Sequence, residues 1–170
     1  RTLWDFEKNS KLVLEEIFCE FNLKEKICVQ KELFINEYKK INETLWNQYR
    51  VGKIKKEFLR NSRFKQTLEL FNYYDESLSI EISDYYVKEC PKKKNLFPNT
   101  IKILDYLKNK YNLHIITNGF EEVQIIKLKS SGLSDYFDQI ITSEKIGVKK
   151  PDPKIFSFAL TSAKANKENS

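Results

Sequence analysis

The sequence predicts an α/β chain in which a partial parallel sheet accompanies a bundle of helices. Three observations predict it. Up to about residue 95, apolar residues recur at helical spacing in segment after segment. Beyond that point two short apolar runs flank one helical segment, a strand–helix–strand unit of about 30 residues. Only four glycines and four prolines occur in 170 residues, too few turn formers for a many-stranded all-β chain.

Residues 7–21 place Leu12, Leu14, Ile17, Phe18 and Phe21 roughly on one helical face. Residues 30–50 repeat the pattern with Leu33, Phe34, Tyr38, Ile41, Leu45, Trp46 and Tyr49, and Gly52 marks a break. Residues 54–72 continue it with Ile54, Phe58, Leu59, Phe64, Leu68 and Phe71. A fourth helix is expected over 77–90, ending near Pro91. Four amphipathic helices with short connections make a bundle. Pro98 and Asn99 then open a helix over about 98–111. The run Leu113 to Ile116 reads as a strand ending in Thr117-Asn118-Gly119. The next helix carries Glu121 and Glu122 in its first turn and Lys127 and Lys129 near its end, as its dipole favours. Gly132 suits its stop. Gln139 to Thr142 reads as a second, parallel strand. Asp152-Pro153 opens a last helix over about 153–165, as an N-cap and a first-turn proline. Two parallel strands do not make a stable doubly wound sheet, so the sheet reads as incomplete.

Composition narrows the function. Hydrophobic residues are 41% and charged residues 32%, enough apolar content for a packed core, which argues against general disorder. No apolar run has the length of a bilayer span, and residues 1–10 lack a signal-peptide pattern. Cys19, Cys28 and Cys90 form no CxxC pair and fit idle thiols in a reducing, cytoplasmic compartment. The net charge is +6, with a local run at Lys92, Lys93 and Lys94. Such a run reads as a solvated loop, and no recognised nucleic-acid module accompanies it.

Ligands of open parallel sheets bind beyond the carboxyl ends of the strands. Thr117 lies at one such end, before a helix N-terminus whose N–H groups suit a phosphate. Taken alone, the tripeptide is more often an ordinary cap and turn, since Ser, Thr and Asn cap most helices. The segment KIGVKKPDP, residues 145–153, follows the other strand end and delivers Lys150. Taken alone, it is a charged surface loop. Both features project from adjacent strand ends toward one point, and that coincidence marks a candidate site.

Residues 116–120, ITNGF, and 145–156, KIGVKKPDPKIF, resemble motifs II and III of the haloacid dehalogenase-like (HAD) hydrolases, in particular the YjjG/YfnB-type branch of pyrimidine 5′-nucleotidases. RTLWDFEKNS, residues 1–10, resembles the continuation of that family's first motif, D-x-D-x-T, with Thr2 as its threonine. The resemblance implies a Rossmann-like core from residues 1–7 and 96–170, with a helical cap over residues 8–95. It implies a phosphatase in which a first aspartate forms an aspartyl-phosphate, a second acts as acid and base, and Mg2+ neutralises the phosphoryl oxygens. By match, Lys150 is the catalytic lysine, because the family's lysine directly precedes proline; Lys149 is only its neighbour. Thr117 binds phosphate, Asn118 donates a further bond, and Thr2 supports.

The motif I aspartates and the acidic motif IV are absent from the sequence. The chain is therefore expected to be an internal segment, truncated at both ends, without metal ligands and inactive by itself. The implied partner is a small phosphate ester, a nucleotide before a sugar phosphate, with no membrane and with nucleic acid disfavoured. A non-enzymatic reading stays open, a basic helical module for nucleic acid or a partner protein. Trp46, Tyr49, Phe64, Arg60 and Arg63 are cap residues able to meet a leaving group, although aromatics at helical spacing are more often core.

Overall fold

Helical periodicity and then period-two alternation divide the chain in the computed structural model, which describes residues 2–170. Among the described residues the order is α1 (Phe6–Glu20), α2 (Leu23–Ile27), α3 (Lys31–Arg50), α4 (Lys56–Leu70), α5 (Glu76–Glu89), α6 (Thr100–Lys108), β1 (His114–Thr117), α7 (Glu121–Ser130), β2 (Gln139–Thr142), α8 (Ser143–Ile146) and α9 (Pro153–Ala163). The chain forms two compact units. One is Phe6–Cys90; the other joins the chain up to Asp5 with Pro91–Ser170.

In the helical unit α4 packs against both α3 and α5. Its interior holds Val13, Leu14 and Ile17 of α1, Phe34 and Tyr38 of α3, Leu59, Phe64 and Leu68 of α4, and Ile82 of α5. Tyr38 stacks on Phe64 with ring centroids 4.5 Å apart, and Tyr86 lies 5.6 Å from each. Burial pushes the Tyr38 phenol up to about 12 and that of Tyr86 well above its ordinary value. Phe64 and Tyr49 are thus core residues, and half-buried Trp46 meets Tyr49 edge to face. The two arginines differ sharply. Arg60 pairs with Asp84 at the surface, at 2.7 Å. Arg63 is only 4% exposed. Its Nη1 donates to the Tyr38 hydroxyl at 3.4 Å, its guanidinium carbon lies 5.3 Å from the Tyr86 ring centroid, and its Nε has no partner.

The short helix α2 was not expected. Asn22 and Cys28 bracket it in left-handed conformations, at φ 49° and 53°, and five residues are too few to show a period.

In the α/β unit β1 and β2 are parallel, with His114, Ile115, Ile116 and Thr117 opposite Gln139, Ile140, Ile141 and Thr142. Alternation sends successive residues to opposite faces. Ile115 and Ile140 pack with Leu104 of α6 and Leu128 of α7, together with Leu133. Ile116 and Ile141 pack with Ile155 and Ala159 of α9. Both sheet faces carry helices, as a parallel sheet requires. Residues 2–5 are tied to the same unit. Trp4 bridges Leu96, its indole N–H donates to the Lys93 carbonyl at 2.8 Å, and Asp5 N donates to the Asn95 carbonyl at 3.0 Å. No helix among the described residues is long and apolar enough to cross a membrane.

Candidate active site

The parallel register places Thr117 beside Thr142, so the two following loops leave the sheet side by side. The first loop, Asn118 to Phe120, leads into α7. The second runs through α8 to Asp152, which caps α9 by accepting from Lys154 N at 2.8 Å. Thr142 caps α8 by accepting from Lys145 N at 3.3 Å, and Gly147, at φ 78°, ends it.

The loops are joined by side chain–backbone bonds. Asn118 Oδ1 accepts from Lys150 N at 2.8 Å, and Asn118 Nδ2 donates to the Lys150 carbonyl at 3.0 Å. One amide therefore fixes both backbone groups of Lys150. The Lys150 side chain turns back across β1, and its Nζ donates to the Ile116 carbonyl at 2.8 Å. That carbonyl belongs to the peptide leading into Thr117. The ammonium thus lies at the carboxyl end of β1, with two further N–H donors. Among the described residues no carboxylate pairs with it. The Lys150–Pro151 peptide is cis.

Thr117 Oγ1 accepts from Gly119 N at 3.0 Å, so its own O–H proton is left to donate outward. A Cβ at Gly119 would displace the end of the flexible Gln124 side chain, whose Cδ would be 2.9 Å away, and would lie 3.2 Å from Thr117 Oγ1. Thr117, Asn118 and Lys150 are all half-buried. The sequence expectation left the N-terminus of α7 open to phosphate. Its first N–H, that of Glu121, instead donates to Glu144 Oε2 at 2.8 Å.

The structure therefore brings Thr117, Asn118 and Lys150 together. Thr2 belongs to the same unit but is exposed, and among the described residues no hydrogen bond joins it to those three. Asn118 spends its acceptor and one amide hydrogen on Lys150, so its direct role is to hold the lysine. Glu144 went unremarked in the sequence. Its only signal is positional: it stands two residues past Thr142, as Gly119 stands two past Thr117. Among the described residues no group of three His, Cys, Asp or Glu side chains is placed to hold a metal ion.

Comparison with known proteins agrees with the motifs. Residues 31–170 match the model of the haloacid dehalogenase-like hydrolases. The chain is 33% identical over 127 residues to pyrimidine 5′-nucleotidase YjjG of Escherichia coli (strain K12), covering 75% of this chain and 55% of that protein. It is 29% identical over 153 residues to pyrimidine 5′-nucleotidase PynA of Streptococcus pneumoniae (strain ATCC BAA-255 / R6), covering 89% of this chain and 61% of that protein. The chain thus spans little more than half the length of these relatives. The magnesium-bound crystal structure of the HAD-hydrolase YfnB of Bacillus subtilis superposes with a TM-score of 0.85 at 25% identity, over 99% of this chain and 71% of that one. Family match, relatives and superposition lead to one conclusion: the chain belongs to the haloacid dehalogenase-like hydrolases.

Proposed function

We propose that this chain contributes the phosphate-binding side of a phosphohydrolase acting on nucleoside 5′-monophosphates, pyrimidine nucleotides first. The observation that carries the reading is the Lys150 ammonium, held at 2.8 Å on the Ile116 carbonyl of the peptide that leads into Thr117. A phosphoryl group at the end of β1 would take one bond from Thr117 O–H and one or two from Lys150 Nζ. The fixed positive charge would balance the charge that builds up during transfer, without reorganisation at the moment of reaction. Asn118 keeps the lysine in place through its backbone. Thr2 supports the site by family match.

The helical unit is read as the cap and the α/β unit as the core. In the family's chemistry the two aspartates of the first motif, as nucleophile and acid–base partner, and a magnesium ion would complete the site through an aspartyl-phosphate. The residues of this chain do not by themselves fit the metal, since no carboxylate cluster is placed to hold it among the described residues. No step is therefore derived through it, although magnesium accompanies the YfnB structure. The chain alone is expected to bind phosphate without turning it over. Exposed free thiols at Cys19 and Cys28 are in keeping with a reducing, cytoplasmic setting.

The pyrimidine preference is supported by the names of YjjG and PynA. The test is phosphate release by the protein expressed from its complete coding sequence, with magnesium. UMP, CMP and dTMP are run against AMP, GMP and a hexose 6-phosphate. Release from the pyrimidine nucleotides at least about tenfold faster, or about 1.4 kcal/mol in kcat/KM, is expected. Faster release from the sugar phosphate would replace the nucleotide reading, and release from none would end the phosphatase reading.

A further inference from the structure

We propose that Glu144 is a positioning residue, which locks the Thr117 loop to the Lys150 loop by capping α7 from the neighbouring strand end. The proposal rests on the reading of Thr117 and Lys150 as phosphate ligands.

A helix start leaves N–H groups without partners, and a local Ser, Thr, Asn or Asp commonly accepts from them. α7 has no such residue. Its N-cap position is Phe120, which makes no side-chain cap and is buried, 6% exposed. The cap comes instead from 23 residues further along the chain, where Glu144 Oε2 accepts from Glu121 N at 2.8 Å. The first turn of α7 already carries Glu121 and Glu122, so the helix dipole is answered without a third carboxylate. What Glu144 adds is the connection between loops.

That connection bears on the phosphate ligands. The Thr117 loop is clamped to the second loop at two points on either side of Gly119. Asn118 grips Lys150 before it, and Glu144 grips Glu121 after it. Between the clamps, Gly119 N donates to Thr117 Oγ1 and fixes where the threonine proton is aimed. Without Glu144 the clamp on the far side of Gly119 is lost, and the hydroxyl is freer to turn away from the ammonium. Because Glu144 holds the first N–H of α7, an incoming phosphate is also directed to the Thr117 hydroxyl and Lys150, away from the helix end.

The test uses the protein expressed from its complete coding sequence, labelled with 15N, as wild type and as Glu144→Ala, Glu144→Gln and Glu144→Asp. The Glu121 amide proton reports the cap. It should move upfield in E144A and in E144D, which falls a methylene short, and stay near its wild-type position in E144Q. Inorganic phosphate is then titrated against chloride at matched ionic strength, well below the melting temperature, following the Thr117, Gly119 and Lys150 amides. E144A and E144D should bind phosphate about tenfold more weakly, and E144Q within about threefold of wild type, since the amide keeps an acceptor. If E144A does not fold, the E144D and E144Q pair carries the comparison. A merely structural role would lower the melting temperature of the variants and leave phosphate affinity unchanged, which overturns the proposal. If wild type itself binds no phosphate, the proposed function falls and the positioning role with it. If wild type and all variants bind alike, only the positioning role falls.

Discussion

Replacing Asn118 with alanine removes the amide that holds both backbone groups of Lys150. Two bonds go, at 2.8 and 3.0 Å, and a half-buried N–H and C=O lose their partners. A hydrogen bond contributes about 0.5–1.5 kcal/mol net, and an unpaired buried group costs about 1–3 kcal/mol. Water reaches part of this site, so the lower ends apply, and the expected loss is about 2 kcal/mol. At this chain length that lowers the melting temperature by about 4–8 °C. The assay is urea unfolding followed by tryptophan fluorescence. Trp4 lies in the α/β unit and Trp46 in the helical unit, so a Trp46→Phe background isolates the unit that holds the site. Asn118→Leu controls for shape, because it fills similar space and makes neither bond. Both variants should lose similar stability. A loss under about 0.5 kcal/mol in N118A, below the net worth of two such bonds, would refute the clamp. A loss confined to N118A would assign the effect to packing.

Arg63 is buried without a carboxylate partner among the described residues, and its Nε is unpaired. Exchange of such a charge for an apolar side chain of similar length is often neutral or stabilising by about 1–4 kcal/mol, so Arg63→Met should hold or raise the urea midpoint read at Trp46. A clear drop would show that the Tyr38 and Tyr86 contacts compensate the charge. Tyr38 has a folded pKa raised to about 12 from 10.0, so the folded state keeps a proton that the unfolded chain loses. Its contribution is complete below pH 10 and falls away as pH rises toward 12, by roughly 3 kcal/mol at 1.36 kcal/mol per pKa unit. Unfolding measured from pH 9 to 11.5 should show that slope, reduced in Tyr38→Phe; an equal slope in both would contradict the assignment.

Long amphipathic segments were legible in the sequence to within a few residues, because their stripes run through several turns. The expected helix over 30–50 and the observed α3, Lys31–Arg50, differ by one residue. The second strand is Gln139–Thr142, as read. The first is displaced by one, to His114–Thr117, because the Leu113 carbonyl accepts from Asp138 N outside the ladder while Thr117 pairs with Thr142. Helices α2 and α8 are too short to show a period, although the Thr142 cap and Gly147 stop were readable signals for α8. Arg60 and Arg63 looked equivalent, three residues apart. Arg63 stands four residues from both Leu59 and Thr67, on the buried line of α4, and Arg60 does not.

At the site, motif spacing brought Thr117 and Lys150 into view but left two couplings hidden. Asn118 to Lys150 spans 32 residues and Glu144 to Glu121 spans 23. Neither has a local pattern, because both depend on the parallel register that sets the loops side by side. The same register explains why a lysine that reads as surface charge turns inward onto the end of β1.

The central claim is that the Lys150 ammonium acts on phosphate beside Thr117. It is tested most directly by phosphate release from UMP by the protein expressed from its complete coding sequence, with magnesium, as wild type and Lys150→Met. Methionine keeps much of the length without the charge, and the Asn118 bonds to the backbone of residue 150 are untouched. The account predicts unchanged folding and a fall in kcat/KM of about 10²–10³, the range for removing one electrostatic donor from a transition state. A folded K150M protein that releases phosphate at the wild-type rate would contradict it.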